Sequence, residues 1–180
     1  MRFRYFELEG GSRMIQVYTG NGKGKTTAAF GLALRAAGAG RRVYICQFCK
    51  GKHYSEHASL KKIKNIKVEQ YGTTCFIRRA PLKNDIKLAQ AGLEAARKAI
   101  HSKHYSLVVL DEINVALKLK LINLEDLLSL IKETPKTIEL VLTGRSAHPE
   151  ILKIADLVSE IKEKKHYYNK GVMARRGIEF

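Results

Sequence analysis

Short apolar runs recur along the chain, and each gives way to a glycine or a polar break before a segment of helical periodicity begins. Residues 14–18, 42–48, 66–71, 106–110, 138–142 and 157–161 are such runs and read as strands. Ser106-Leu107-Val108-Val109-Leu110 is almost purely apolar, the pattern of a central parallel strand buried on both faces. Between the runs lie helical patterns. Residues 26–37 are rich in Ala and Leu and stop at Gly38 and Gly40. Residues 84–101 place Ile86, Ala89, Leu93, Ala96 and Ile100 at three- and four-residue steps, the apolar face of an amphipathic helix. Asn123 stands where it can cap a helix over 124–133, which Pro135 follows, and shorter helices are expected near 58–62 and 149–155. Strands alternating with helices predict an α/β fold, a doubly wound and mainly parallel sheet.

The junction after the first strand carries chemistry. Thr19-Gly20-Asn21-Gly22-Lys23-Gly24-Lys25-Thr26-Thr27 joins a strand to a helix through three glycines that let the backbone turn and aim N–H groups inward. Lys25 adds a point charge, and Thr26 offers a hydroxyl to a magnesium ion. The generic pattern G-x-x-x-x-G-K-[ST] has glycine where this chain has Thr19, so the assignment rests on the strand before the loop and the helix after it. The competing reading is a Gly/Lys-rich surface turn. With the strand–loop–helix context, the expected fold is a single-domain, P-loop NTPase-like sheet of the RecA-like kind.

Two other strand ends fit a magnesium triphosphate, which needs a lysine, a hydroxyl, a carboxylate for the ion and a further cation. Asp111-Glu112 follows the most apolar strand, and Arg145 follows the strand at 138–142. Taken singly, Asp111 is as well read as a turn cap and Arg145 as half of a surface ion pair. Lys25, Thr26, Asp111 or Glu112, and Arg145 together, at three strand ends, favour the binding reading.

Composition narrows the classes. A chain of 180 residues, 45% hydrophobic, suits one domain over 14–180 preceded by an extension over 1–13 that ends in Gly-Gly-Ser-Arg. No apolar stretch reaches membrane-span length and no secretory signal opens the chain, so the expectation is a cytoplasmic protein without a membrane partner. Lys and Arg exceed Asp and Glu by 33 to 17, a formal +16 that favours anionic partners. The lysines are scattered and no nucleic-acid motif accompanies them, which disfavours nucleic acid. Cys46, Cys49 and Cys75 make an odd count, against a disulfide framework, and the Cys46-Gln47-Phe48-Cys49 spacing reads better as buried small residues than as a metal or redox site. The tail over 162–180, with Lys164-Lys165-His166 and Arg175-Arg176-Gly177, is placed to fold over the ligand edge of the sheet.

Several motifs occur together: the loop from Thr19 through Gly31, Gln47-Phe48-Cys49-Lys50-Gly51, Leu110-Asp111-Glu112-Ile113, Leu142-Thr143-Gly144-Arg145, residues 155–160 and Lys165-His166. In combination they resemble the ATP:corrinoid adenosyltransferases of the cobalamin pathway, in the branch with a P-loop fold, where threonine at the Thr19 position is normal. The resemblance implies that a reduced corrinoid, as Co(I), attacks the 5′ carbon of ATP and expels tripolyphosphate. It implies that Gly20 to Thr26 and Lys25 hold the triphosphate, that Thr19, Asn21, Lys23 and Thr27 belong to the ATP site, that Thr26 and Glu112 hold Mg²⁺, and that Arg145 clamps phosphate. The nucleotide would lie reversed relative to P-loop hydrolases. Phe76 matches a corrinoid-facing position, although family members often continue F-x-W and this chain reads Phe76-Ile77-Arg78 with no Trp. A homodimer is implied, and an electron-donating reductase is compatible as a partner. The rival readings are a P-loop kinase or NTPase, and a basic nucleic-acid-binding module.

Overall fold

The structure is a computed structural model that describes residues 14–52, 54–73 and 80–180. Its six strands are β1 (Met14–Thr19), β2 (Val43–Phe48), β3 (Ile66–Tyr71), β4 (Leu107–Asp111), β5 (Glu139–Thr143) and β6 (Leu157–Glu160). They form one sheet in the order β3-β2-β4-β5-β1-β6, with every neighbouring pair parallel. The helices are α1 (Lys25–Gly38), α2 (Ser55–Leu60), α3 (Lys83–His101), α4 (Ile113–Lys118), α5 (Leu124–Glu133) and α6 (Pro149–Ile154), with a 3₁₀ turn at Tyr167–Lys170. This is the doubly wound, P-loop NTPase-like architecture expected from the alternation of strands and helices. Among the described residues no helix is long and apolar enough to cross a membrane.

Alternation along the buried strands builds two cores. Leu107 and Val109 of β4 join Val43, Ile45 and Val141 beneath Ala29, Ala33 and Ala37 of α1. Val108 and Leu110 face the other way and meet Leu93, Ala96 and Ile100 of α3 and Leu127, Leu130 and Ile131 of α5. β4 is therefore buried on both faces, as its composition requires. Small alanines on α1 allow that helix to lie close to the sheet, which fixes the loop at its N-terminus. β6 is different. It is an edge strand, and all four of its residues are exposed.

Some local expectations shift. α2 begins at Ser55, ahead of the expected residue 58, because the Tyr54 N–H donates to His57 Nδ1 at 3.2 Å and starts the helix early. α4 follows β4 directly, behind a left-handed Glu112 at φ 62°, where no helix was expected. Asn123 does occupy the N-cap of α5, but its side chain makes no capping bond and instead donates from Nδ2 to Asp126 Oδ2 at 3.3 Å. The segment over 1–13, Cys75, Phe76 and the Arg78-Arg79 pair lie outside the described residues.

Candidate active site

The C-terminal ends of β1, β2, β4 and β5 meet at one edge of the sheet, the edge at which open α/β sheets bind ligands. At the end of β1 the chain turns through Gly20 at φ +97°, where a Cβ would lie 2.4 Å from the Ile161 carbonyl oxygen. A Cβ on Gly22 would lie 2.8 Å from the same oxygen. Both glycines are required by this close approach, which the Gly22 N–H seals by donating to Ile161 O at 2.8 Å. Thr19 remains in the strand, and its hydroxyl accepts from the Ala147 N–H at 3.3 Å, tying the loop to the segment that carries Arg145. A glycine there would supply no such tie.

Lys25 opens α1 with its ammonium turned back onto the loop, donating to Gly20 O at 2.8 Å and Gly22 O at 2.6 Å. Burial lowers its pKa; Arg145 adds to the effect and the Glu112 and Asp111 carboxylates oppose it. A cation held among loop carbonyls at a helix N-terminus is ready to exchange those carbonyls for an anion.

Asp111, the last residue of β4, is fully buried and receives four hydrogen bonds. Oδ1 accepts from Thr26 Oγ1 at 2.8 Å and from Thr143 Oγ1 at 2.7 Å. Oδ2 accepts from Gln47 Nε2 at 2.9 Å and from Lys50 Nζ at 2.7 Å. Burial alone would raise its pKa, but Lys50 and these donors hold it below the usual carboxylate value. Glu112, one residue on, is different. Its backbone N–H donates to Thr143 Oγ1 at 3.0 Å, yet among the described residues nothing hydrogen-bonds its carboxylate. Burial, then the neighbouring Asp111, pushes its pKa up. Asp111 is thus a brace for Thr26 and Lys50, while Glu112 places at the cavity wall a carboxylate that no described residue hydrogen-bonds.

That cavity has a volume of about 810 Å³. Asn21 to Thr27, Lys50, Glu112 and Arg145 line it, so the glycine loop with Lys23 and Lys25, Lys50 and the arginine share one space. Arg145 is exposed and makes no ion pair among the described residues. The tail closes the opposite side, as expected for residues 162–180: Gly177 to Phe180 line the cavity, and Ser55 Oγ donates to Phe180 O at 2.9 Å. Lys23 is held by this tail, donating to Tyr167 Oη at 2.8 Å, Ile178 O at 3.1 Å and Glu179 Oε1 at 2.7 Å.

Residues 11–180 match the family described as ATP:corrinoid adenosyltransferase BtuR/CobO/CobP. The chain belongs to the ATP:corrinoid adenosyltransferase family. It is 33% identical over 167 residues to a corrinoid adenosyltransferase of Escherichia coli K12, an alignment covering 93% of this chain and 85% of that protein. It is 34% identical over 167 residues to corrinoid adenosyltransferase CobA of Salmonella typhimurium, with the same coverage of 93% and 85%. With a corrinoid adenosyltransferase of Pseudomonas aeruginosa it shares 34% over 169 residues, 93% of this chain and 83% of that one. Named members of the family are transferases.

In this adenosyltransferase, Gln47, Lys50, His57 and Thr143 stand beside the candidate site; the loop opened by Lys50 was expected to be able to meet a ligand, but no individual role was read for these four residues. His57 Nε2 meets Gln47 Oε1 at 2.5 Å, which orients the Gln47 amide so that its nitrogen points at Asp111. One signal was visible: Gln47 is the polar residue in β2, a strand whose six residues are all buried. A buried amide in such a strand requires a polar partner. Cys46 is buried, with its thiol directed to Gly92 O at 3.5 Å, and Cys49 is partly buried; both thiols are free.

Proposed function

We propose that this protein transfers the 5′-deoxyadenosyl group of ATP to the Co(I) centre of a reduced corrinoid, in adenosylcobalamin biosynthesis or salvage. The observation that carries the reading is membership of the adenosyltransferase family across almost the whole chain, joined to a cavity lined by Lys25, Thr26, Lys50, Glu112 and Arg145. The electron pair of Co(I) forms a bond to C5′ of the ribose, the C5′–O5′ bond breaks, and tripolyphosphate leaves with the pair of the broken bond. The nucleophile belongs to the substrate, so the protein's task is to hold ATP and stabilise the departing charge.

Backbone N–H groups from Gly20 to Thr26 and the Lys25 ammonium receive the triphosphate, and Arg145 adds a bidentate guanidinium at the cavity edge. Asn21, Lys23 and Thr27 complete the nucleotide wall, with Thr19 setting where the loop begins. The donors available to a divalent cation are the Thr26 hydroxyl and the Glu112 and Asp111 carboxylates. No group of three His, Cys, Asp or Glu gathers among the described residues, so a cation would complete its shell with phosphate oxygens and water. That donor set fits Mg²⁺, which supplies charge neutralisation on the phosphates when bound. Phe76, assigned to the corrinoid side by resemblance, stays part of the proposal, as do a cytoplasmic location, a homodimer, a reductase as electron donor, and a single catalytic domain over 14–180.

The test is product analysis. Protein, ATP, Mg²⁺ and a chemically reduced corrinoid are mixed anaerobically, and the corrinoid is examined by mass spectrometry. An adenosyl adduct with a Co–C bond supports the reading; unmodified corrinoid with ATP cleaved to ADP refutes it in favour of an NTPase.

A further inference from the structure

Lys50 sits between two oxygens at the rear of the cavity. Its ammonium donates to Asp111 Oδ2 at 2.7 Å and to Thr26 Oγ1 at 3.1 Å, and lies 5.6 Å from the centre of the Tyr54 ring. The Thr26 hydroxyl sends its own proton to Asp111 Oδ1 at 2.8 Å, so a lone pair of Thr26 meets the Lys50 ammonium. A hydroxyl that ligates a metal ion needs the same polarity, with the proton turned away and the oxygen turned to the cation. A buried carboxylate oxygen and a hydroxyl lone pair therefore converge on a point that this chain fills with positive charge of its own.

We propose that Lys50 is a resident counter-ion: in the nucleotide-free protein its ammonium fills the seat between Thr26 and Asp111, and a divalent cation takes that seat only when the triphosphate arrives. The inference rests on the ATP-dependent reading above. A magnesium ion approaches oxygen ligands to about 2.0–2.1 Å, which would press it against the ammonium on the same two oxygens. Two cations so placed in a buried site repel strongly, and one must leave. The triphosphate changes the balance, because it brings several negative charges into the cavity that Lys50 already lines with Lys25 and Arg145. The four-carbon stem lets the displaced ammonium stay in that cavity and pair with phosphate. Lys50 is then a positioning residue for the empty site and a further cation beside the leaving group in the filled one.

The experiment is Mn²⁺ titration of the full-length, nucleotide-free protein, with free Mn²⁺ followed by electron paramagnetic resonance. Lys50→Met and Lys50→Gln are expected to bind one Mn²⁺ about tenfold tighter than the wild type, since each removes the positive charge from the seat. Lys50→Gln keeps a donor for Asp111 and so preserves the fold if the methionine variant loses it. Lys52→Met deletes the same charge from an exposed position two residues along and should leave affinity within about twofold. Adding Thr26→Val to Lys50→Gln should abolish the gain. Unchanged affinity in both Lys50 variants, an equal gain in Lys52→Met, or a gain that survives Thr26→Val would overturn the proposal. Corrinoid adenosylation is read separately: transfer by the wild type without a Mn²⁺ gain in the variants refutes the Lys50 role alone, whereas a gain without transfer refutes the reaction and leaves the seat standing.

Discussion

Lys50–Asp111 at the rear of the cavity and Lys23–Glu179 at its front are both ion pairs of 2.7 Å. Their surroundings differ. The side chains of Lys50 and Asp111 are 13% and 0% exposed, and Asp111 is also held by Thr26, Thr143 and Gln47. Lys23 and Glu179 are 40% and 16% exposed and belong to a loop and a chain end. Glu179 is held low in pKa by hydrogen bonds from Lys23 and then Tyr167, contacts that solvent and salt can replace. Equal distances therefore describe a fixed rear wall and a removable front cover. The rear wall presets where phosphates and a cation would sit, while the cover yields to a ligand at small cost.

The largest effect expected falls on Lys25, which lines the cavity on its fixed side. Lys25→Ala should lower kcat/KM for adenosyl transfer by about 10³-fold, with Thr26→Ala close behind, while the circular dichroism spectrum stays native. Undiminished turnover in both would remove the loop from the mechanism. Next is Asp111→Ala, which strands four donors, the Lys50 ammonium and the buried Gln47 and Thr143 among them; urea unfolding should show a loss of about 3–5 kcal/mol. A midpoint as high as the wild type's would mean that the rear wall is no firmer than the cover.

Cys49, at the end of β2 beside that wall, reports whether it stays closed. Burial, with the Glu112 and Asp85 carboxylates adding to it, pushes the thiol up to about 12. A raised thiol pKa leaves little thiolate at pH 8, so native Cys49 should alkylate about a hundredfold more slowly than the unfolded chain. The sign gives a second check. The native rate should still climb about tenfold per pH unit between pH 9 and 10, where the unfolded thiol, with its pKa near 8.5, has levelled off. Peptide mapping after iodoacetamide treatment measures both. The smallest effect belongs to the cover: Glu179→Gln frees Lys23 and removes a negative charge, tightening ATP binding by less than about fivefold, and the gain should fade in high salt. Calorimetric titration at two salt concentrations would show it.

Much of the sheet was legible because a parallel strand must be apolar on both faces, and Val108-Val109-Leu110 or Leu140-Val141-Leu142 have few other uses. α4 was not, since six residues after a left-handed Glu112 carry too few turns to show a period. The glycine loop, Asp111, Glu112 and Arg145 were legible because each lies within a contiguous strand-end pattern. The choice between Asp111 and Glu112 was not legible in the residue pattern, and only the family resemblance favoured Glu112. The choice depends on side-chain direction, which sends Asp111 into Thr26, Thr143, Gln47 and Lys50 and leaves Glu112 at the cavity wall. Gln47 reaches Asp111 because the β2–β4 register sets them side by side, and register is a property of two strands that neither states alone. The hold of Glu179 on Lys23, at 156 residues' separation, likewise exists only once the tail has folded back.

A cavity that holds a triphosphate as a leaving group breaks the bond at the ribose carbon and not between phosphates. Phosphorus NMR of an anaerobic reaction with ATP, Mg²⁺ and a reduced corrinoid reads that bond directly. Tripolyphosphate released in equal amount to the adenosylated corrinoid is the result predicted. ADP with inorganic phosphate, at any level of corrinoid, would contradict it.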